Sequence, residues 1–589
     1  MRVRAGVVLV ALLALAGAQS APAATTLTVT RTDDPAPNGC QPTDCSLREA
    51  VIAANAGSGG DTIVLPAGHF RLGIAGIGEQ AAATGDLDLT KSVTITGAGA
   101  RATVIDAMRI DRVFEILGGA TVLISDVKIT GGVTEDNGAG IESVGTLTLV
   151  RDAIVGNHAT GVADGGAVDS GGPALTITQS TLAGNVGYNG GAIHFGHLLT
   201  ITSSTITGNS GGGPGVNGDG GGISGAAAST VLIKSSTITG NVAFNGVGSG
   251  GGVDSPGVTL QNSIVADNRA YETDLSAAHS DNCAAAATTQ GHNLSDDATC
   301  GLTDGTDRQS APVPLGPLTD NGGPTDTEAP PPGSAAVNAG SGCPAADQRG
   351  VSRPRGSACD VGAYEVAPPL ATTAPASGVT FGGARLNGTV DPSARETTAV
   401  FQYGATTSYG STVELGIAGS GVGSVPVSAL LAGLRQGVTY HYRLVATNAE
   451  GTTAGADQTF TTLDKVKPVL SLLRVLPGLF HRNKGATIGF KLSEAATITF
   501  RVDRVLRGVK RRGNCVVRKR RARDRPCTRY VQVPGSFERP GAEGPNTFHF
   551  DGRVGGRLLF PGAYRLRGSP RDNAGNVGKT VVAAFRVLR

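Results

Sequence analysis

The chain has no tryptophan, two methionines and few aromatic residues of any kind, 4% of 589. Sugar clefts are usually walled by aromatic faces, so this scarcity argues against an ordinary carbohydrate pocket. Charge is also sparse: 16% of residues are Asp, Glu, Lys or Arg, and the formal net charge is +2. A balance so near neutrality excludes a global attraction to nucleic acid or anionic membrane. Beyond the N-terminal segment no run of about 18 apolar residues occurs, so no membrane-spanning helix is expected there. Cys-x-x-Cys spacing is missing, and with it the usual mark of a structural zinc site.

Glycine, by contrast, is abundant, at 89 residues. Each glycine costs chain entropy, which a single packed globule would avoid, but a fold with tight corners in every turn needs them. Between Val122 and Asn268 one short phrase recurs. Leu147-Thr-Leu149…Ile154-Val-Gly-Asn157 returns as Leu175-Thr-Ile177…Asn185, Leu199-Thr-Ile201…Asn209, Val231-Leu-Ile233…Asn241 and Val258-Thr-Leu260…Asn268. A degenerate first copy runs from Val122 to Gly132. The period, roughly 24 to 32 residues between Asn positions, is that of a solenoid. Two alternating Ile/Val/Thr runs per unit read as strands. A Gly-Gly-x-apolar phrase, such as Gly165-Gly-Ala-Val168 or Gly190-Gly-Ala-Ile193, links the units. About three strands per coil are expected, and the fold class is all-β: a right-handed parallel β-helix.

Residues 1–24 read as a secretory signal, with Arg2 and Arg4, an apolar stretch from Ala5 to Gly17, and Ala21-Pro-Ala23 as cleavage site. The mature protein is expected outside the cytoplasm, secreted or at the cell surface, with no transmembrane segment once the signal is removed. Its eight cysteines form four close pairs, Cys40/Cys45, Cys283/Cys300, Cys343/Cys359 and Cys515/Cys527. Eight cysteines allow 105 connectivities, and an exported chain keeps such pairs oxidised; metal ligation is the competing reading. Residues 45–55 form the one convincing helix, with Ser46 and Glu49 as a capping box. Leu47, Ala50, Val51 and Ala54 share a face that can cover the open end of the coil stack.

Cys45-Ser-Leu-Arg-Glu-Ala50 closely resembles the CSLREA motif of bacterial exported β-helix proteins. Asp320-Asn-Gly-Gly-Pro324 and Asp347-Gln-Arg-Gly350…Arg353-Pro354…Cys359-Asp-Val-Gly-Ala-Tyr-Glu365 resemble the segment that closes the choice-of-anchor Q family. The resemblance spans residues 25–366 and implies a secreted or surface-attached β-helix of pectate-lyase-like shape. Such proteins often finish in a sorting signal, whereas this sequence finishes Ala584-Phe-Arg-Val-Leu-Arg589, so covalent anchoring is not expected. Within 25–366 the repeats occupy about 120–270 and a closing segment about 276–366. Residues 367–463 show strands about ten residues apart and resemble a fibronectin type III domain through Phe401-Gln-Tyr403, Thr439-Tyr-His-Tyr-Arg443 and Asn448-Ala-Glu-Gly451. Residues 464–589, ending in Asp572-Asn-Ala-Gly-Asn576, look like an Ig-like module. Tyr440 and Tyr442 are expected to pack and hydrogen-bond in the core.

Stacked coils align equivalent residues at about 4.8 Å, which yields three columns. Asn157, Asn185, Asn209, Asn241 and Asn268 can chain amide hydrogen bonds and tolerate a left-handed corner. Asn137, Asp164, Asn189, Asp219 and Ser249 precede the Gly-Gly phrase; Asp164 and Asp219, two coils or about 10 Å apart, are the candidate calcium ligands. No other cofactor is indicated. Glu142, Asp169, His194, Ser224 and Asp254 follow the phrase. Asp169 and His194 would be an acid beside a base, the candidate catalytic pair, with Glu142 and Asp254 in line. A solvated polar stripe is the plainer reading, because the repeats offer few cations to steady a sugar carboxylate.

Thirteen Lys and Arg lie between Arg501 and Arg529, against Asp503 and Asp524. Arg511, Arg512, Arg518, Lys519, Arg520 and Arg521 form the densest part, which the Cys515/Cys527 pair would fold into a loop suited to polyanions. Tyr530 is the lone aromatic nearby, so sequence-specific nucleic-acid recognition is not expected. The expected function is a non-enzymatic exported protein that adheres to polyanionic or glycan surfaces of an envelope or matrix. A polysaccharide lyase or glycoside hydrolase acting on the β-helix face is the alternative. Ligand identity and oligomeric state are not legible.

Overall fold

The computed structural model describes residues 24–213, 215–246, 249–272, 278–331, 333–518 and 524–589. The signal-sequence expectation therefore lies outside the described residues. From residue 26 to residue 295 the chain coils into a parallel β-solenoid whose sheets hold ten, nine, seven and seven strands. Pairing is parallel except at one edge, where Arg269–Tyr271 meets Ala278–Ser280 antiparallel.

Each full coil carries four strands rather than three. In one coil these are Thr146–Val150, Ala153–Val155, His158–Ala159 and Val168–Ser170. The next has Ala174–Thr178, Thr181–Ala183, Val186–Gly187 and Ile193–Phe195. The additional strand is two residues long, too short for a period-2 pattern to mark it in the sequence.

The repeated phrase sets the register. Leu147 pairs with Leu175, Leu175 with Leu199, and Ile154 with Leu182. Inward Leu, Ile and Val at these positions are fully buried and form one core running the length of the stack. Burying such side chains contributes about 1.5–3 kcal/mol each, the main driving force for coiling.

Corners turn on left-handed residues. The glycines of the linking phrase, Gly138, Gly165, Gly190, Gly220 and Gly250, have φ between 59° and 67°. A Cβ at Gly165 would stand 2.5 Å from the Val168 carbonyl oxygen. The asparagine column, however, does not occupy the corner as expected. Gly156, Gly184, Gly208, Gly240 and Asp267 take the positive φ, one residue earlier. That turn drives Asn157, Asn185, Asn209, Asn241 and Asn268 inward, where each is at most 1% exposed. The Asn209 Oδ1 accepts from the backbone N–H and the side-chain amide of Asn185, both at 3.0 Å, and the pattern repeats from coil to coil. A second inward column, Asp152, Ser180, Ser204, Ser236, Ser263 and Asn293, accepts the backbone N–H of the coil before it in the same way.

Helix α1, Leu47–Ala56, closes the first coil. Ser46 and Glu49 form the capping box, and Leu47, Ala50, Val51 and Ala54 are buried. Cys40 and Cys45, five residues apart, bond just before it. Replacing both with serine should cost about 2 kcal/mol by releasing that loop in the unfolded chain. A urea midpoint unchanged from the wild type would show that the cap holds without the link.

At the other end the coils run further than the repeats suggested. Thr288–Thr289 and Leu294–Ser295 continue the first two sheets, so the closing segment starts after them and not near residue 276. Cys283 and Cys300, expected in that segment, are instead buried in the solenoid core and joined to each other. Cys300 covers the last coil as an apolar group, a place its sequence surroundings did not mark because the Asn and Gly-Gly phrases have ended there.

The segment after the coils folds back over the outer face of the second sheet. Glu328 accepts from the Thr207 and Thr239 hydroxyls, Gln348 bonds Thr181 and Thr205, and the Thr237 hydroxyl accepts from Ala363 N–H. Its motif residues build a buried ionic knot. Asp347 pairs with Arg349, both fully buried, and Arg349 Nη2 donates to the Glu365 carbonyl at 2.5 Å. The Tyr364 ring lies 3.5 Å under the Arg349 guanidinium, and its hydroxyl donates to Glu450 of the next module at 3.0 Å.

Two β-sandwiches follow, antiparallel except where Leu479–His481 runs parallel to the last strand, and each has its own core. In the first, Tyr442 is buried and donates to the Ala374 carbonyl at 2.7 Å, while Tyr440 stacks on Phe460. In the second, the strand Ala496–Arg511 pairs with Gly562–Arg571 and then runs past that partner as one arm of a hairpin with Pro526–Gln532. All four cysteine pairs, Cys40–Cys45, Cys283–Cys300, Cys343–Cys359 and Cys515–Cys527, are disulfides, and no cysteine is free. The metal-ligation reading of the cysteines falls with that pairing, because a bonded sulfur offers no thiolate. No helix among the described residues is long and apolar enough to cross a membrane.

Candidate functional site

The expected column along the fourth sheet exists. Glu142 is in register with Asp169, Asp169 with His194, His194 with Ser224, and Ser224 with Asp254. Glu142 and His194 stand partly exposed between two buried neighbours, whereas Asp169 and Ser224 at the equivalent positions are themselves buried. The column begins two coils earlier than the repeats suggested: Asp88 pairs with Glu115, and Glu115 with Glu142. Seven stacked positions therefore carry five carboxylates. Sequence reasoning missed Asp88 and Glu115 because those coils lack the Asn and Gly-Gly phrases; alternation within Leu87-Asp-Leu89 and Phe114-Glu-Ile116 was the signal that could have found them.

Asp169 and His194 do meet: His194 Nδ1 lies 2.6 Å from Asp169 Oδ1 and 3.9 Å from Asp164 Oδ2. Burial alone would lower the imidazole, but the Asp169 hydrogen bond and the charges of Asp169 and Asp164 raise it overall. Glu142 is bound differently, in an ion pair with Arg112. Arg112 also reaches Asp86 at 3.0 Å and Asp136 at 3.4 Å. This buried guanidinium is a cation in the acidic face that the repeat pattern could not reveal, since it sits outside the recurring phrase.

At the far end, burial and the charges of Asp219 and Asp281 push Asp254 up to about 6. At the near end, burial and the charges of Asp111 and Asp88 push Asp86 up to about 8, and burial pushes Asp88 up to about 6. These carboxyls bind protons more tightly folded than unfolded, so each contributes stability that falls as pH rises from about 4 through its folded value. His194, also raised, has the same sign: its contribution is present below about 6.5 and is lost above the folded value. Asp254→Asn should therefore make the chain more stable than wild type at neutral pH, by about 1–2 kcal/mol, with the gap closing below about pH 4. Urea midpoints measured across pH check this, and a gap that widens toward acid refutes it.

Asp164 and Asp219 are corner caps in the column where the sequence placed them. The Asn189 N–H donates to Asp164 Oδ1 at 2.9 Å, and the Asp219 N–H donates to Asn189 Oδ1 at 3.2 Å. Asp219 Oδ1 also accepts from Asn245 at 2.8 Å. Among the described residues, close triplets of carboxylates occur elsewhere: Asp86, Asp88 and Glu115, and Asp464, Glu494 and Asp572.

The sparse aromatics are not evenly spread. Tyr188 and Phe244 line an open groove of about 400 Å³ beside the third sheet, with His158, Val186 and Val216. Phe244 stacks on Tyr271 with ring centres 5.5 Å apart. Tyr188, Phe244 and Tyr271 belong to different coils, and only the stacking of coils unites them.

The basic hairpin is solvent-facing. Arg501, Arg504, Arg507, Lys510, Arg511, Arg512, Arg518, Arg525 and Arg529 are all exposed. Cys515 and Cys527 join its arms. Asp524 pairs with Arg518 at 3.3 Å and Arg511 at 3.8 Å, whereas buried Asp503 is taken by Arg565 and Arg567. The Arg565 guanidinium covers the Tyr530 ring at 3.4 Å, so the lone aromatic is already occupied. Lys519, Arg520 and Arg521 lie outside the described residues.

No protein-family model matches this chain, and no curated protein does. Among solved structures, the sensor domain of the anti-sigma factor RsgI4 of Pseudobacteroides cellulosolvens is 22% identical, covering 17% of this chain and 98% of that one, with a TM-score of 0.14. The FN1–FN3 domains of chicken CNTN1 are 12% identical, covering 38% of this chain and 67% of that one, with a TM-score of 0.17. At these scores both are likenesses to parts of the chain and carry no argument about its activity.

Proposed function

We propose that this is a non-enzymatic exported protein that holds polyanionic surfaces of an envelope or matrix, the solenoid acting as a rigid body and the basic hairpin as the grip. The observation that carries this reading is the hairpin itself: past the pairing with Gly562–Arg571 the disulfide-closed ribbon holds seven exposed cations, Arg507, Lys510, Arg511, Arg512, Arg518, Arg525 and Arg529. Of the ribbon's apolar side chains Val509 is buried and Val516, Val517 and Val531 are exposed; a charged ribbon in water gains mainly by meeting opposite charge. The four disulfides suit an oxidising, extracellular setting. The resemblances to CSLREA and choice-of-anchor Q proteins, and of the two sandwiches to fibronectin type III and Ig-like modules, support export and a surface role.

The test is retention of the full chain on an immobilised polyanion, with release by salt at moderate ionic strength. Binding unchanged by salt, or by neutralising the hairpin, sinks the reading. The second reading, a polysaccharide lyase or glycosidase on the outer face, draws on the 2.6 Å Asp169–His194 pair and on the aromatic groove. It requires unsaturated or reducing sugars to be released from an acidic polysaccharide, and that release to vanish in Asp169→Ala.

A further inference from the structure

The loop of residues 73–86 and the first strands of the fourth sheet gather Asp86, Asp88 and Glu115, one oxygen of each within 4.8 Å of the others. That spacing is no more than about twice a calcium–oxygen bond of roughly 2.3–2.6 Å. Asp88 is 0% exposed. Its Oδ2 accepts from the Ala82 N–H at 2.7 Å, but its Oδ1 has no hydrogen-bond partner. A buried carboxylate oxygen with no donor is costly unless something positive stands beside it.

Local charge does not supply it. The guanidinium at hand, Arg112, pairs with Asp86 and acts on neighbouring Asp111, but it is shared with Asp136 and Glu142. Arg48, a second buried cation beside the loop, is saturated: it pairs with Asp34 and donates to the carbonyls of Ala82, Gly85 and Asp86. Arg48 thus fixes the backbone of the loop and leaves its own charge committed to Asp34.

We propose that Asp86, Asp88 and Glu115 bind a hard divalent cation of the calcium type, which clamps loop 73–86 onto the first coils behind the helical cap. All three donors are oxygen, which selects against zinc and copper, and an irregular carboxylate set completed by water suits calcium better than magnesium. The site differs from the Asp164–Asp219 corner column, whose oxygens already accept backbone and amide protons.

The test uses the EDTA-treated full chain at about pH 7.5, titrated with calcium chloride by calorimetry and followed by hydrogen exchange. Wild type should bind calcium with Kd of about 1 mM or tighter, and the amides of residues 73–86 should become protected as it does. Asp88→Asn and Glu115→Gln should each weaken that event about tenfold or more and abolish the protection. Asp464→Asn, in the other carboxylate triplet, should leave protection of 73–86 unchanged. Glu115 is half-buried, so Glu115→Gln decides the matter if Asp88→Asn fails to fold. No calcium-dependent protection of 73–86 in wild type, or protection that survives both substitutions, overturns the proposal; in that case Asp88 and Glu115 share a proton instead.

Discussion

Neutralising Arg511, Arg512 and Arg518 together, each to glutamine, should weaken binding of the chain to a polyanion on the order of 10²–10³-fold at low salt. All three side chains are exposed on the disulfide-closed hairpin. Each cation that sits on a polyanion releases condensed counterions, so affinity falls with salt by about 0.9 log units per decade per contact on duplex DNA. Random-sequence duplex DNA is a convenient probe for that reason. Losing three contacts should reduce the salt slope by about 2–3, equally for every sequence. A slope that stays the same, or a loss confined to one sequence, would mean that the hairpin is not the grip. The disulfide should matter less than the charges: its two arms are already hydrogen-bonded from Asp503 to Val509.

Asn209→Ala should destabilise the solenoid by about 3–5 kcal/mol. Asn209 is 1% exposed and sits mid-column. Its Oδ1 serves the backbone N–H and the side-chain amide of Asn185. Its Nδ2 donates to the carbonyls of Leu182 and Thr207 and to Asn241 Oδ1. Removing the amide strands several buried polar groups at once, and each costs about 1–3 kcal/mol unsatisfied. Neighbouring coils share these bonds, so the loss should spread along the stack, as nearest-neighbour coupling in a solenoid dictates. The measurement is the urea midpoint of the full chain, with hydrogen exchange of the amides of residues 175–268. A change below about 1 kcal/mol would show that water or a rotated neighbour satisfies the orphaned groups.

Both results depend on features of different legibility. The strand pattern, the coil period and the Asn column follow from local repetition, because identical side chains recurring at one spacing can only satisfy each other if the coils stack in register. Leu147, Leu175 and Leu199 are therefore core positions on sequence grounds alone. The capping box at Ser46 and Glu49 and the four close cysteine pairs were equally local. The basic run was visible as composition, since exposure of a long cation requires no partner.

What the sequence hid is whatever depends on distance between coils that do not share the repeat. Asp88 and Glu115 precede the recurring phrase, and Arg112 belongs to none of it, yet stacking brings all three onto one face with Glu142 and Asp86. The pairing of Cys283 with Cys300 was legible as spacing, but their place inside the solenoid core was not. The two-residue strand at each third corner, the return of residues 319–366 over the second sheet, and the meeting of Phe244 with Tyr271 were decided the same way. Periodicity fixes which residues point inward, because burial of apolar surface is read residue by residue. Which outward residues become neighbours is set by coil length and corner angle, and these exist only once the chain has closed each turn upon the last.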